Sequence, residues 1–346
     1  MAVSRVFVHG QGAVSPAGWG VPALRASLEQ GRPLPVQSIP RPGWEKPLPV
    51  RSVPPPPGRP AFLAHARLRR ASPMTHYTVG AALEALGGDG GLVRPGAFRL
   101  GIVVCTMTGG LSYSRRFYQE VLQDPALASP LIFPETVFNA PASHLSACLG
   151  ASTVNYTLVG DAGAFLQGLA VAAQWLDDGV AEACVVIGAE ETDWTAADAL
   201  RLFERHSVHT GGAGALYLKG QCPAAAPVEL AAVTDSFPAT RTLGRDEAAR
   251  RMRAQLPAGA PDELLCSSES GNAAWSGWTG GRLTPKTVLG EAFAASAAWQ
   301  CVAACDAIQR CQYEAANVSI TGANQQTIGA RFVKPHFLKT EPGPLP

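Results

Sequence analysis

The chain has 346 residues, with 28 Lys and Arg against 27 Asp and Glu and a net charge of +1. No basic excess exists to draw it onto nucleic acid or an anionic lipid surface. Apolar residues make up 47% and charged residues 16%, which excludes extended disorder and is ample for a buried core. So light a charged coat suggests that part of the surface is covered by another subunit. No charge-free window of about 18 apolar residues is present, so no transmembrane helix is expected. The N-terminal residues carry no secretory pattern, and a cytoplasmic chain is expected. The eight cysteines form no CxxC pair and read as reduced, buried thiols. Cys301, Cys305 and Cys311 fall near one helix face, but no histidine accompanies them, so no metal site is expected.

In chain order, Val3–His9 alternates as a strand and runs into the segment Gly10–Pro16, followed by a helix from Val21 to Gln30. Residues 33–60 hold eleven prolines and can form neither regular helix nor central strand. Met74–Leu86 reads as a small-residue helix, Leu100–Cys105 as a buried strand and Tyr113–Leu122 as an amphipathic helix. Pro141–Leu149 is a helix stopped by Gly150, Thr153–Val159 a strand, Ala164–Leu176 a helix, and Ala183–Gly188 and Ala213–Leu218 strands. A second set follows. It comprises strand Val228–Phe237, helix Asp246–Gln255, strand Glu263–Ser267, helix Phe293–Gln309, and strands Ala316–Thr321 and Ile328–Val333. Apolar strands alternating with helices predict sheets covered on both faces. Two successive sets predict a duplicated α/β fold, with halves 1–220 and 221–338 and a frayed tail at 339–346.

The order of motifs resembles the β-ketoacyl-ACP synthases of the thiolase superfamily. Val6–Pro16 is similar to their opening strand and turn, and Gly101–Thr106 to their second strand. Phe133–Asn139 resembles their dimer-region segment, and Cys184–Glu190 the strand ending in Gly-Gly/Ala-Glu. Gly212–Leu216 resembles the strand closing the first half, and Pro285–Gly290 the segment joining an active-site lysine to Gly-His. The resemblance implies the thiolase fold, with five layers α-β-α-β-α built from two pseudo-repeated halves.

That family uses a cysteine at a helix N-terminus, where the dipole favours the thiolate nucleophile. Two histidines then assist decarboxylation and hold the developing enolate oxygen. Counted back from Gly179, the nucleophile position is Ala162, beside Asp161; Cys148 lies ahead of a whole strand and cannot be brought there. The turn of the first histidine reads Ser270-Gly271-Asn272, and the Gly-His of the second reads Gly290-Glu291. After His209 the chain has only His336, so no register supplies two histidines from the second half. Lys286 is retained, while the family's Gly-rich loop is reduced to Ile320–Asn324.

Scaffold motifs without catalytic residues resemble a silent homologue of the chain length factor (KSβ) type, and the short chain resembles such subunits of type II, highly reducing, polyene-making polyketide systems. Such a subunit pairs with an active ketosynthase (KSα) and shapes the tunnel that limits chain length. Its substrates arrive on phosphopantetheinyl acyl carrier protein (ACP), and no cofactor is expected on this chain. Phe133, Phe138, Asn139 and His144 are the tunnel and interface candidates; Arg115 and Arg116 are candidates for touching phosphopantetheine. Asp161 is expected to cap the helix that follows it, and Glu291 to pair with Lys286. Two competing readings remain. One is a stand-alone acyltransferase or hydrolase using Asp161, Ser270 or Glu291; the other is a homodimeric acyl-ACP-binding scaffold.

Overall fold

The computed structural model describes residues 5–91, 99–150, 154–240, 242–269, 272–323 and 326–335. Ser270, Gly271, Asn324, His336 and the tail 339–346 lie outside the described residues. The chain opens with β1 (Phe7–Ser15), β2 (Gly18–Trp19), α1 (Val21–Gln30), β3 (Gln37–Ile39), β4 (Leu48–Arg51), α2 (Pro73–Leu86) and β5 (Leu100–Thr106). It continues through α3 (Leu111–Gln123), α4 (Ala140–Leu149), β6 (Val154–Val159), α5 (Ala164–Asp177), β7 (Ala183–Glu190), α6 (Trp194–Phe203), β8 (His209–Thr210) and β9 (Gly212–Lys219). Then come β10 (Val228–Val233), β11 (Phe237–Pro238), α7 (Arg245–Ala254), β12 (Glu263–Ser267), β13 (Gly281–Leu283), α8 (Pro285–Leu289), α9 (Phe293–Gln309), β14 (Ala315–Thr321) and β15 (Gln326–Val333).

The main strands form one path whose centre is a short antiparallel seam, Phe7 opposite Glu229 and Val8 opposite Val228. Outward from the seam one side reads β1-β9-β7-β5-β6 and the other β10-β15-β14-β12-β13. Each side has the same order in its own chain sequence, and the same parallel and antiparallel pairings. Helices α5 and α9 lie between the two sides and touch strands of both. Helices α2 and α4 cover the outer face of the first side, and α7 that of the second. This is the five-layer arrangement that the resemblance implies.

Strand alternation sorts the side chains between layers. Val103, Cys105 and Val186 face the central helices, whereas Ile102, Val104, Val185 and Ile187 face α2 and α4. On the other side Cys266, Val318 and Ile320 point to the centre, while Leu265 packs with Met252, Trp275 and Trp278. All of α9 from Phe293 to Ile308 is buried, as expected of a helix apolar all round. Cys266, Cys301 and Cys305 are buried there, and burial pushes each thiol up. Among the described residues no His, Cys, Asp and Glu group is arranged to hold a metal, and no helix is long and apolar enough to cross a membrane.

Two expectations need correction, and one helix was not foreseen. The first strand does not end at His9, because β1 runs through Gly10-Gln11-Gly12 to Ser15. These glycines instead admit helix α2 against the strand: a Cβ at Gly10 would lie 1.9 Å from the Ala85 carbonyl oxygen, and one at Gly12 1.9 Å from that of Ala81. The proline-rich stretch does contain a middle strand, since β4 lies between β3 and β8. Pro49 is tolerated because β8 reaches only Val50 and Arg51, so Pro49 has a neighbour on one side alone. Helix α6, not foreseen from the sequence, packs on this small sheet through Ala197 and Trp194.

Substituting Gly12 by Ala should cost about 2–3 kcal/mol through backbone overlap, whereas Gly88→Ala, with nothing within 4 Å, should be silent. Urea denaturation of the two variants against the parent chain measures the difference.

Candidate functional site

The expected nucleophile position lies at the elbow between β6 and α5. Asp161 and Ala162 are 4% and 5% exposed. Gly160 N–H donates to the Thr106 carbonyl at 3.0 Å, tying the elbow to the end of β5. Asp161 does not cap α5 as expected. The N-cap is Gly163, without a side-chain bond, and Asp161 Oδ1 accepts from the Ala162 N–H at 2.6 Å. The Asp161 carboxylate lies so close to Gly322 that a Cβ there would meet it at 1.9 Å. Ala162 offers no nucleophile, and Cys148, at the end of α4, is held up as a thiol by burial.

A small apolar cluster lies next in chain to the residues that touch the elbow. Phe293, Leu200, Ala323 and Met107 form one apolar cluster. Met107 directly follows the Thr106 that holds the elbow, and Ala323 follows the Gly322 that touches Asp161. Phe293 adopts φ 43°, a left-handed conformation that is strained for a bulky residue. Its N–H is held by Glu291 Oε1 at 2.6 Å, and its ring lies 5.7 Å from that of His209. His209 is buried, and burial lowers its pKa to about 4, so it is neutral.

Glu291 and Lys286 come together with a third residue that the sequence did not single out, Glu204 at the end of α6. Lys286 Nζ bonds Glu204 Oε2 and meets Glu291 Oε2 at 2.8 Å. All three side chains are at most 15% exposed. Burial alone would lower the Lys286 pKa; the carboxylates of Glu291 and Glu204 outweigh it and hold the ammonium charged. Burial raises Glu291, with Lys286 opposing, whereas Lys286 overcomes burial at Glu204 and pulls it down. Where the condensing chemistry needs a ring N–H facing an oxygen, Glu291 supplies only acceptors. Both of its oxygens are engaged, one with Lys286 and one with Phe293.

Beside this triad opens a polar cavity of about 660 Å³, walled by Arg51, Ser268, Glu269, Asn272, Thr321 and the turn from Thr284 to Glu291, among others. Asp161 and Ala162 are not among its walls.

The interface candidates lie elsewhere, around α4 and β6. Phe133 and Phe138 are 53% and 43% exposed, and Asn139 is also exposed. His144 instead turns inward and bonds Glu135 Oε1 at 2.7 Å, fastening the Phe133–Glu135 turn to α4. Among the described strands β6 pairs only with β5, and its Val154, Tyr156 and Val159 are exposed, as are nearby Leu131 and Val137. An unpaired edge with large apolar side chains is a template for another strand. Arg115 bonds Asp193 at 2.7 Å, and the exposed Arg116 pairs with Glu120 on the next turn of α3.

Next to Asp193, burial pushes Glu191 up to about 7, against hydrogen bonds from Ser112 N–H and Oγ–H. A folded-state pKa above the unfolded value gives stability that is complete below about pH 4.5 and is lost as pH rises through 7. Glu191→Gln keeps both contacts once the Ser112 hydroxyl rotates, and should gain up to about 3 kcal/mol over the parent chain at pH 8.5. Urea midpoints from pH 5 to 8.5 test it, with no gain expected at pH 5. Lys286→Met strands two buried carboxylates and should cost about 3–5 kcal/mol; adding Glu291→Gln should recover a measurable part in thermal melts.

No family model matches the chain, and no curated protein matches its sequence. Solved structures do match in fold. The ishigamide ketosynthase/chain length factor superposes with a TM-score of 0.78 at 16% identity, covering 97% of this chain and 100% of the other. A type II polyketide acyl-carrier protein in complex with its ketosynthase bound to the hexaketide gives 0.76 at 19% identity, with coverage of 95% and 99%. The ketosynthase of Xenorhabdus doucetiae in complex with its chain length factor gives 0.71 at 13% identity, with coverage of 95% and 98%. The fold is therefore that of the thiolase-type ketosynthases.

Proposed function

We propose that this chain is the catalytically silent, chain length factor (KSβ) subunit of a type II ketosynthase heterodimer. Its partner is an active ketosynthase (KSα), and the pair elongates acyl chains delivered on phosphopantetheinyl ACP, without a cofactor on this chain. The observation that carries the reading is what occupies the expected catalytic positions. The position that the resemblance assigns to the nucleophile is a buried Ala162, and the position it assigns to the second histidine is Glu291, which has no ring N–H and is already bound to Lys286 and the Phe293 N–H. The exposed β6 edge, with Phe133 and Phe138 beside it, supports pairing with another chain. Solved neighbours described as a ketosynthase with its chain length factor, and as a ketosynthase with its acyl-carrier protein, support the choice of partners. A polyene-type product and a cytoplasmic setting are the narrower parts of the proposal.

Co-expression with the ketosynthase encoded in the same genome should give a 1:1 complex that extends acyl-ACP. Activity should vanish when the partner's cysteine is replaced and persist when Asp161 here becomes Asn. Tyr156→Arg, on the exposed edge, should weaken the complex at least about tenfold, with only a small change in the melting temperature of the chain from its edge contact with Trp175, because Tyr156 is 54% exposed. Ala162→Cys should not give condensation by this chain alone. A homodimer indifferent to any ketosynthase, active on acyl-ACP and silenced by Asp161→Asn, would overturn the proposal in favour of a stand-alone enzyme.

A further inference from the structure

Four consecutive prolines, Pro54–Pro57, follow β4 and belong to no regular element. A proline fixes its own φ at about −65° and pushes the residue before it into extended backbone. Every residue from Val53 to Pro56 precedes a proline, so the run is held as a polyproline II helix of about three residues per turn. Exposure follows that period. Val53 and Pro56 are half-buried against the body of the protein, whereas Pro54, Pro55 and Pro57 are exposed. Gly58, at φ +74°, then turns the chain away. The run is fastened at one point. Trp19 Nε1–H donates to the Pro54 carbonyl at 2.9 Å, and the Trp19 ring is braced by Tyr77, edge to face, with 6.0 Å between centroids. Among the described residues the carbonyls of Pro55, Pro56 and Pro57 accept no hydrogen bond.

Val53, Pro54 and Pro55 form a wall shared by two hollows. One, of about 500 Å³, is closed by Pro16, Leu34 and Pro35, and the other, of about 230 Å³, by Leu63, Pro73 and Tyr77. The run therefore stands as a ridge that a groove can straddle. Its charge is one-sided. Between Glu45 and Glu84 the chain has no Asp or Glu, although it has Lys46, Arg51, Arg59, Arg67, Arg69 and Arg70. Arg59 is exposed just beyond Pro57, and among the described residues no carboxylate pairs with it.

We propose that the Pro54–Pro57 ridge is the docking site of a partner domain whose aromatic-lined groove reads polyproline II helix and whose acidic rim meets Arg59. Three features fit that partner. The outward proline rings offer apolar surface to aromatic faces, the bare carbonyls accept from an indole N–H, and Arg59 presents a planar fork to a carboxylate. The ridge is rigid before binding, so little conformational entropy is lost on docking. An acidic rim also complements the local excess of arginine, which speeds encounter and favours the correct register. The ridge shares no residue with the β6 edge or with the group of Glu204, Lys286 and Glu291, and the inference does not depend on the silent-subunit reading.

The probe is a recombinant, fluorescein-labelled WW domain of the class that takes arginine-flanked polyproline, titrated with the full chain and followed by fluorescence anisotropy. A saturable rise is expected, and it should be absent when the groove tryptophan of the WW domain is replaced by alanine. Pro55→Ala should weaken binding about fivefold or more, and Arg59→Glu about tenfold at low salt, with a smaller loss at high salt. Both side chains are exposed, so thermal melts of the two variants should stay close to that of the parent chain. No saturable binding to the parent chain would overturn the inference, and so would unchanged affinity in Pro55→Ala. A labelled polyglutamate peptide that binds as tightly as the WW domain, and is indifferent to Pro55→Ala, would show charge attraction only and would overturn it too.

Discussion

The close approach of α9 to the sheet is the constraint on which the rest of the molecule depends. A Cβ at Gly188 of β7 would lie 2.2 Å from the Ala294 carbonyl oxygen, and one at Gly214 of β9 would lie 2.7 Å from Ala298 Cβ. Glycine on the strands and alanine on the helix let backbone meet backbone. Dispersion contacts are then dense, and no side chain can adjust the gap. The same helix touches β12 and β14 on its far side. Trp299 fixes its rotation by donating to the Val14 and Ala213 carbonyls at 3.2 and 3.0 Å. The N-terminus of α9 is therefore set to within a side chain's freedom. Glu291 and Phe293 arrive beside the elbow as a consequence of packing that has nothing to do with chemistry.

Once that N-terminus is fixed, the charges follow. Glu291 enters a buried position where a lone carboxylate would be expensive, and its two oxygens take different partners, the Phe293 N–H and Lys286. Lys286 is drawn between two carboxylates, which keeps it charged in spite of burial. Glu204 closes the group from α6, itself held by the Ser207 hydroxyl at 2.6 Å. The triad joins the end of α6, the turn before α9 and α8. These segments lie far apart in the chain, Glu204 and Lys286 being 82 positions apart.

How much of this was legible in the sequence depended on whether the signal was local. Gly150 ends α4 in a left-handed conformation, and α9 begins and ends where its apolar run does. Those elements were readable because punctuation and periodicity act within a few residues. Helix α6 was missed because it buries only Ala196, Ala197 and Leu200, too few apolar positions to show a clear stripe. The extension of β1 through two glycines was missed because the reason for them is α2, far along the chain. In the site, the Glu291–Lys286 pairing spans a short segment and could be anticipated. Glu204, the left-handed Phe293 and the buried Arg51 could not, since each is defined by what tertiary packing brings against it.

A working active site is a set of polar groups left incomplete so that a substrate can complete them. Here the groups near the elbow are already complete. Asp161 accepts from the Ala162 N–H beside it, Glu291 is divided between a cation and an amide, and Lys286 is shared by two carboxylates. Phe293 occupies space with a strained backbone that these contacts hold in place. On the proposed silent reading, more is missing than a nucleophile. The polar positions have been closed on one another, so a thiol restored at Ala162 would still lack the two ring donors that the resemblance assigns to an enolate oxygen.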